Sequence, residues 1–143
     1  MEFHYTEHDV VATAKHVLEQ IVPNAHGATV AGLSGDLGAG KTTLVKALAQ
    51  LLGISEIVVS PTFVIAKFYD IPGEGRWKAL IHIDAYRIEH TDELVPLGWE
   101  KLIADPATLI VVEWPERIAT MLPPTAHRIH IAHTDTGRHI KAV

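Results

Sequence analysis

Apolar positions recur along this chain in two periods. Val10, Ala14, Val17, Leu18 and Ile21 repeat at the spacing of one helix face, and Pro23 stops the run. Thr6 stands three positions before Asp9, a capping-box-like start, so a first helix is predicted from about Glu7 to Val22. Leu44, Val45, Leu48, Leu51 and Leu52 predict a second helix over Thr42–Leu52, with Gly53 as its C-cap. Thr29–Leu33 and Leu109–Glu113 are unbroken or nearly unbroken apolar runs and read as buried strands.

Other segments alternate. Glu2–Tyr5 reads as a short edge strand, and Ile57–Ser60 as a short strand ended by Pro61. Phe63–Tyr69 and Arg76–Ile83 are strand-like arms around Pro72-Gly73-Glu74-Gly75, which predicts an antiparallel hairpin with a long turn. Thr91-Asp92-Glu93 starts a helical turn, broken near Pro96-Leu97-Gly98 and resumed to about Ala104. Arg128–Ile131 and His139–Val143 flank Asp135-Thr136-Gly137 as a closing hairpin. Buried strands alternating with helices give an α/β layer architecture. The hairpins require a mixed central sheet with antiparallel members.

At 143 residues the chain is expected to form a single domain over 1–143, long enough to bury one core. With 48% hydrophobic and 20% charged residues it is not a disordered composition. Cysteine is absent, which excludes disulfides, thiol catalysis and thiolate metal sites. Twelve Lys and Arg against 17 Asp and Glu argue against free-standing nucleic-acid binding, which needs a cationic footprint. No apolar run reaches the roughly 18 residues of a membrane span, and Met1–Tyr5 lacks a signal-peptide pattern, so a soluble cytoplasmic protein is expected. Among the ten histidines, His127, His130 and His133 lie close, but on a strand His130 points away from the other two, which favours a solvated surface. His82, inside a strand, reads as orienting its neighbours rather than binding metal.

Candidate chemistry concentrates in Gly35-Asp36-Leu37-Gly38-Ala39-Gly40-Lys41-Thr42, which fits G-x-x-x-x-G-K-[ST] at every fixed position. The motif sits after a predicted strand and before a predicted helix, the context it requires. Phosphate oxygens need many donors at close range, so the backbone must curl with its N–H groups inward. Glycine permits that curl, and the helix start adds unpaired N–H groups and a positive dipole end. In this pattern Lys41 reaches the β- and γ-phosphates and the Thr42 hydroxyl ligates Mg²⁺.

Magnesium needs further oxygen ligands. Glu113 follows Leu109-Ile110-Val111-Val112, and Asp84 follows Leu80-Ile81-His82-Ile83. Both are candidates for metal or water positioning, because sites in such sheets open at the carboxyl ends of parallel strands. Ser60-Pro61-Thr62-Phe63 reads either as a turn with a hydroxyl bond or as a loop sensing the γ-phosphate.

With those residues in place, the chain resembles the TsaE (YjeE) family of small bacterial P-loop ATPases required for threonylcarbamoyladenosine (t6A) modification of tRNA. The resemblance covers nearly the whole chain. It rests on the Gly35–Thr43 loop, Ser60-Pro61-Thr62-Phe63, His82-Ile83-Asp84-Ala85-Tyr86-Arg87, Leu97-Gly98-Trp99-Glu100 and Val112-Glu113-Trp114-Pro115-Glu116-Arg117, in that order. The loop is generic to P-loop proteins; the His-x-Asp-x-Tyr-Arg and Glu-Trp-Pro-Glu-Arg elements are specific. The turn through Pro72-Gly73-Glu74-Gly75-Arg76 is longer than the family pattern needs.

The resemblance implies a P-loop NTPase-type three-layer sandwich. It implies ATP and Mg²⁺ as cofactors, with Gly35, Asp36, Leu37, Gly38, Ala39, Gly40, Lys41, Thr42 and Thr43 around the phosphates. Thr42 and Glu113 become metal ligands, and Lys41, Asp84 and Glu113 the catalytic residues. Thr6 and Arg138 occupy the places the family uses around the nucleotide base. Trp114 is read either as packing near the nucleotide or as rim or core packing. The family further implies a weak Mg-dependent ATPase that does not transfer threonylcarbamoyl itself. Its partners would be TsaB and TsaD, with tRNA met indirectly through that complex.

Two other readings compete. A small-molecule kinase shares the loop but must close a lid against water, and with five arginines in all no Arg-rich lid is visible. A nucleotide-gated binding module would need binding rather than turnover. A GTPase is disfavoured, since the guanine reader Asn-Lys-x-Asp is absent and the one asparagine, Asn24, precedes Ala25.

Overall fold

Strand β2 (Thr29–Ser34) and strand β5 (Thr108–Glu113) are buried along almost their whole length, which only the centre of a sheet covered on both faces provides. The computed structural model, which describes residues 2–36, 38–59 and 65–142 and only the backbone of Phe3, places them side by side and parallel. Around them lies one seven-stranded sheet of order β1-β7-β6-β2-β5-β4-β3. Its other strands are β1 (Glu2–Tyr5), β3 (Ala66–Asp70), β4 (Ala79–Asp84), β6 (His127–Thr134) and β7 (Gly137–Ala142). Strands β6, β2, β5 and β4 are mutually parallel, while β3 and β7 run against their neighbours as hairpin arms. The mixed sheet expected from the hairpins is therefore present.

Helices α1 (Val10–Gln20) and α2 (Lys41–Leu51) cover one face. Val17, Leu44 and Leu48 pack there with Leu33, Leu80, Leu109, Val111 and Ile131. On the opposite face α3 (Trp99–Ala104) and 3₁₀ segments at Thr91–Leu97 and Pro115–Met121 cover Val30, Ile81, Ile83, Ile110 and Val112. Each such fully buried aliphatic side chain contributes about 1.5–3 kcal/mol. The result is a three-layer α/β sandwich. Among the described residues no helix is long and apolar enough to cross a membrane.

Several boundaries differ from the sequence reading. Ile57–Val59 is not a strand: the open side of β4 is taken by β3, and Ile57 is 86% exposed. Ser60, the end of that expected strand, lies outside the described residues, as does the rest of Ser60-Pro61-Thr62-Phe63. The chain enters α1 through a 3₁₀ turn at Glu7–Asp9, and the expected capping box is absent. Thr6 Oγ1 instead donates to the Asp9 carboxylate at 3.1 Å, and Thr13 Oγ1 donates to the Asp9 carbonyl at 2.9 Å. Helix α1 stops at Gln20 because Pro23 disfavours helical geometry at Val22, and Ile21 is already extended.

Strand direction gathers the candidate residues. The carboxyl ends of β2, β4, β5 and β6 lie at one edge of the sheet, and antiparallel pairing delivers the end of β1 and the start of β7 there too. Tyr5 pairs with Arg138 in register, and Asp84 pairs with Glu113.

Candidate nucleotide-binding site

At that edge β2 ends in Ser34 and the glycine loop begins. Gly35 has φ +144°, and a side chain there would collide with the Ile131 carbonyl. Gly40 takes a left-handed conformation (φ 102°, ψ 18°) and turns the chain directly into α2. The loop is closed by Ala39 N–H donating to the Asp36 carbonyl at 3.0 Å. Leu37 lies outside the described residues. The first turn of α2, beginning at Lys41, offers N–H groups that no helical carbonyl can satisfy.

Lys41 is 5% exposed, and its ammonium folds back over the loop. It donates to the carbonyls of Gly35 and, at 2.8 Å, of Asp36, and lies 4.5 Å from the centre of the Trp114 ring. Burial pulls its pKa down from the usual lysine range, opposed by the charges of Glu113, Glu116, Asp84 and Asp36.

Thr42, one residue on, donates its hydroxyl toward Glu113 with both carboxylate oxygens at 3.0 Å. Glu113 ends β5 and is 3% exposed. Its Oε2 also lies 2.5 Å from His82 Nε2, in the middle of β4. Asp84, two residues beyond His82 and so on the same face of the strand, accepts the Tyr86 N–H at 3.0 Å. Burial raises the Asp84 pKa; the Glu113 charge pushes the same way, while the Tyr86 N–H, His82 and Lys41 oppose it. Thr42 and Glu113 thus present hard oxygen donors from two elements at one point, a set suited to a magnesium ion.

Beside the loop, Tyr5, Glu7, Val10, Gly40, Thr43 and Arg138 line a recess that opens to solvent. Arg138 reaches Glu7 at 3.5 Å, and its side chain runs along Gly40. Segments from the two ends of the chain therefore meet at the start of α2. Thr6 sits next to this recess without lining it, its hydroxyl committed to Asp9.

The chain as a whole has relatives among known proteins. The family model for threonylcarbamoyl adenosine biosynthesis protein TsaE matches residues 6–140. The chain belongs to the TsaE family. The tRNA threonylcarbamoyladenosine biosynthesis protein TsaE of Streptomyces coelicolor is 41% identical over 78% of this chain and 74% of its own length. That of Bacillus subtilis is 45% identical over 64% of this chain and 53% of its own length. Against these relatives the aligned part of the chain thus spans from about half to three quarters of the other protein. Among solved structures, the crystal structure of Bacillus subtilis YdiB superposes with a TM-score of 0.68 at 32% identity, over 98% of this chain and 82% of that one.

Three features of this TsaE-family site are not legible in the sequence. A histidine inside β4 suggests that His82 orients a neighbour, but not that the neighbour is Glu113. Trp114 has φ +59° and ψ +52°, which turns its ring over Lys41 and against Tyr86, with ring centres 5.0 Å apart. The half-buried ring thus packs at the loop and also against the core cluster of Val30, Ile83 and Val112. Arg117 in turn lies 5.9 Å from the centre of the exposed Tyr86 ring. The run Glu-Trp-Pro-Glu-Arg marks the place, but no apolar period encodes its backbone turn.

Proposed function

We propose that this chain, as one domain over residues 1–143, binds ATP with Mg²⁺ and hydrolyses it weakly in support of tRNA t6A biosynthesis. It does so in the cytoplasm beside TsaB and TsaD, without transferring threonylcarbamoyl itself and meeting tRNA only through that complex. Membership of the TsaE family supports the pathway. One observation carries the chemistry: Lys41 and Thr42 open α2 directly against the buried Glu113 carboxylate, at the exit of a glycine loop.

In this reading the amides of Gly35 to Thr43 hold the phosphates, and Lys41 Nζ exchanges the carbonyls of Gly35 and Asp36 for phosphate oxygens. Thr42 and Glu113 would hold the magnesium ion, which when bound would supply positive charge to offset that of the phosphates. Asp84 orients the attacking water, so that a P–O bond to water forms as the bond to ADP breaks. Arg138 and Thr6 border the base. The site is tested by measuring phosphate release from Mg-ATP by the chain alone, then with TsaB, TsaD and tRNA. The expected result is slow release alone and faster release in the full mixture. Failure to bind ATP, or stoichiometric phosphorylation of a small-molecule acceptor, overturns the reading.

A further inference from the structure

The buried histidine of β4 does more than fill space. His82 is wholly buried in the sheet, where its neighbours Leu80, Ile81 and Ile83 fill comparable positions with aliphatic groups. A polar ring there is costly unless its nitrogens are bonded. Only one of them is: Nε2 meets Glu113 Oε2, while Nδ1 has no hydrogen-bond partner among the described residues. An ionised carboxylate only accepts, so Nε2 carries the hydrogen of this bond. The single bond to Glu113 is what the ring supplies.

We propose that His82 is a positioning residue for the metal site: its Nε2–H fixes the plane of the Glu113 carboxylate so that the group faces Thr42 and the cation. The inference rests on the reading of Glu113 as a magnesium ligand. The carboxylate is gripped from two sides, by Thr42 from α2 and by His82 from β4. Without the histidine it loses its donor inside the sheet and rotates about its own stem. Outer-shell partners of this kind set metal affinity by about 10- to 100-fold.

The test uses the full chain with Mn²⁺ in place of Mg²⁺. Mn²⁺ binding to the ATP-loaded protein is read by electron paramagnetic resonance, and ATP affinity in EDTA by calorimetry. His82→Leu removes the donor, His82→Asn leaves it too short, and His82→Gln places an amide N–H near the original Nε2. Expected are about 10- to 100-fold weaker Mn²⁺ binding for the Leu and Asn variants, unchanged ATP affinity in EDTA, and recovery with Gln. In a Glu113→Gln background, His82→Leu should change Mn²⁺ affinity little, an outcome that a purely structural role does not produce. Wild-type Mn²⁺ affinity in His82→Leu, parallel loss of metal-free ATP binding, or an undiminished effect in the Glu113→Gln background each overturns the proposal. If the Leu variant does not fold, equal Mn²⁺ affinities for the Gln and Asn variants overturn it instead. A wild-type chain that binds no ATP under either condition sinks the underlying nucleotide reading as well.

Discussion

Thr42 Oγ1 lies 3.0 Å from each carboxylate oxygen of Glu113, across 71 residues of sequence. The contact joins the first turn of α2 to the last residue of β5, two elements that meet because β2 and β5 pair in parallel. Leu33 and Glu113 are register partners, and the loop after β2 returns its helix over the same edge. The parallel pairing of β2 with β5 therefore brings the two oxygen donors to the same edge of the sheet.

Glu113→Gln isolates the charge in this arrangement. Glutamine has nearly the same shape and keeps an oxygen able to accept from Thr42 or His82, so the variant should fold. The magnesium concentration needed for half-maximal ATP turnover should rise by about tenfold or more, because Mg²⁺ is a hard cation that favours ionised oxygen ligands. A magnesium titration of phosphate release checks this, and an unchanged requirement would remove Glu113 from the ligand set.

Lys41→Met should weaken ATP binding by about 100-fold or more. Two hydrogen bonds from a charged donor contribute about 1.5–3 kcal/mol each, and about 1.4 kcal/mol corresponds to a factor of ten. Stability should change less, since Lys41 loses only its bonds to Gly35 and Asp36 while a buried cation is also removed. Calorimetric titration with ATP and urea unfolding of the same sample separate the two effects.

Trp114 offers a test of backbone strain. It is the one non-glycine with positive φ among the described residues, at +59°. Trp114→Ala and Trp114→Gly lose the same ring contacts with Lys41 and Tyr86. Glycine additionally relieves a left-handed conformation that costs other residues roughly 1–2 kcal/mol. Urea unfolding should therefore find the glycine variant more stable than the alanine variant by about 1 kcal/mol. The opposite order would mean that the backbone relaxes once the ring is gone.

What the sequence discloses divides along physical lines. The glycine loop, both helices of one layer and the ends of β4 and β5 are legible because local patterns encode them: an unbroken apolar run, a helical period, a fixed motif. Register is not. The pairings of Asp84 with Glu113 and of Tyr5 with Arg138 are long-range events that no local pattern encodes. Ile57–Val59 misleads for the converse reason, since a short apolar run says nothing about whether a partner strand is free. The 3₁₀ segment Pro115–Met121 carries no helical period to read, and its backbone departs from helical values at Ile118 (φ −129°, ψ 27°).

Asp84 supplies a pH test with a definite sign. Burial and the Glu113 charge raise its pKa above the ordinary aspartate value of 3.8. The folded chain thus holds this proton more tightly than the unfolded chain, so stability falls as pH rises from the unfolded value through the folded one. Asparagine at this position is neutral at every pH and keeps an oxygen to accept the Tyr86 N–H. Asp84→Asn should therefore melt above the wild type near neutral pH, with the gap closing as pH drops toward the ordinary aspartate range. Its ATP turnover should fall at all pH values while ATP affinity holds, because the proposed role concerns water and not phosphate. Melting curves across that pH range, paired with ATP titrations, decide the matter. A stability gap that widens on acidification would reverse the assigned shift, and loss of ATP affinity along with turnover would place Asp84 in binding.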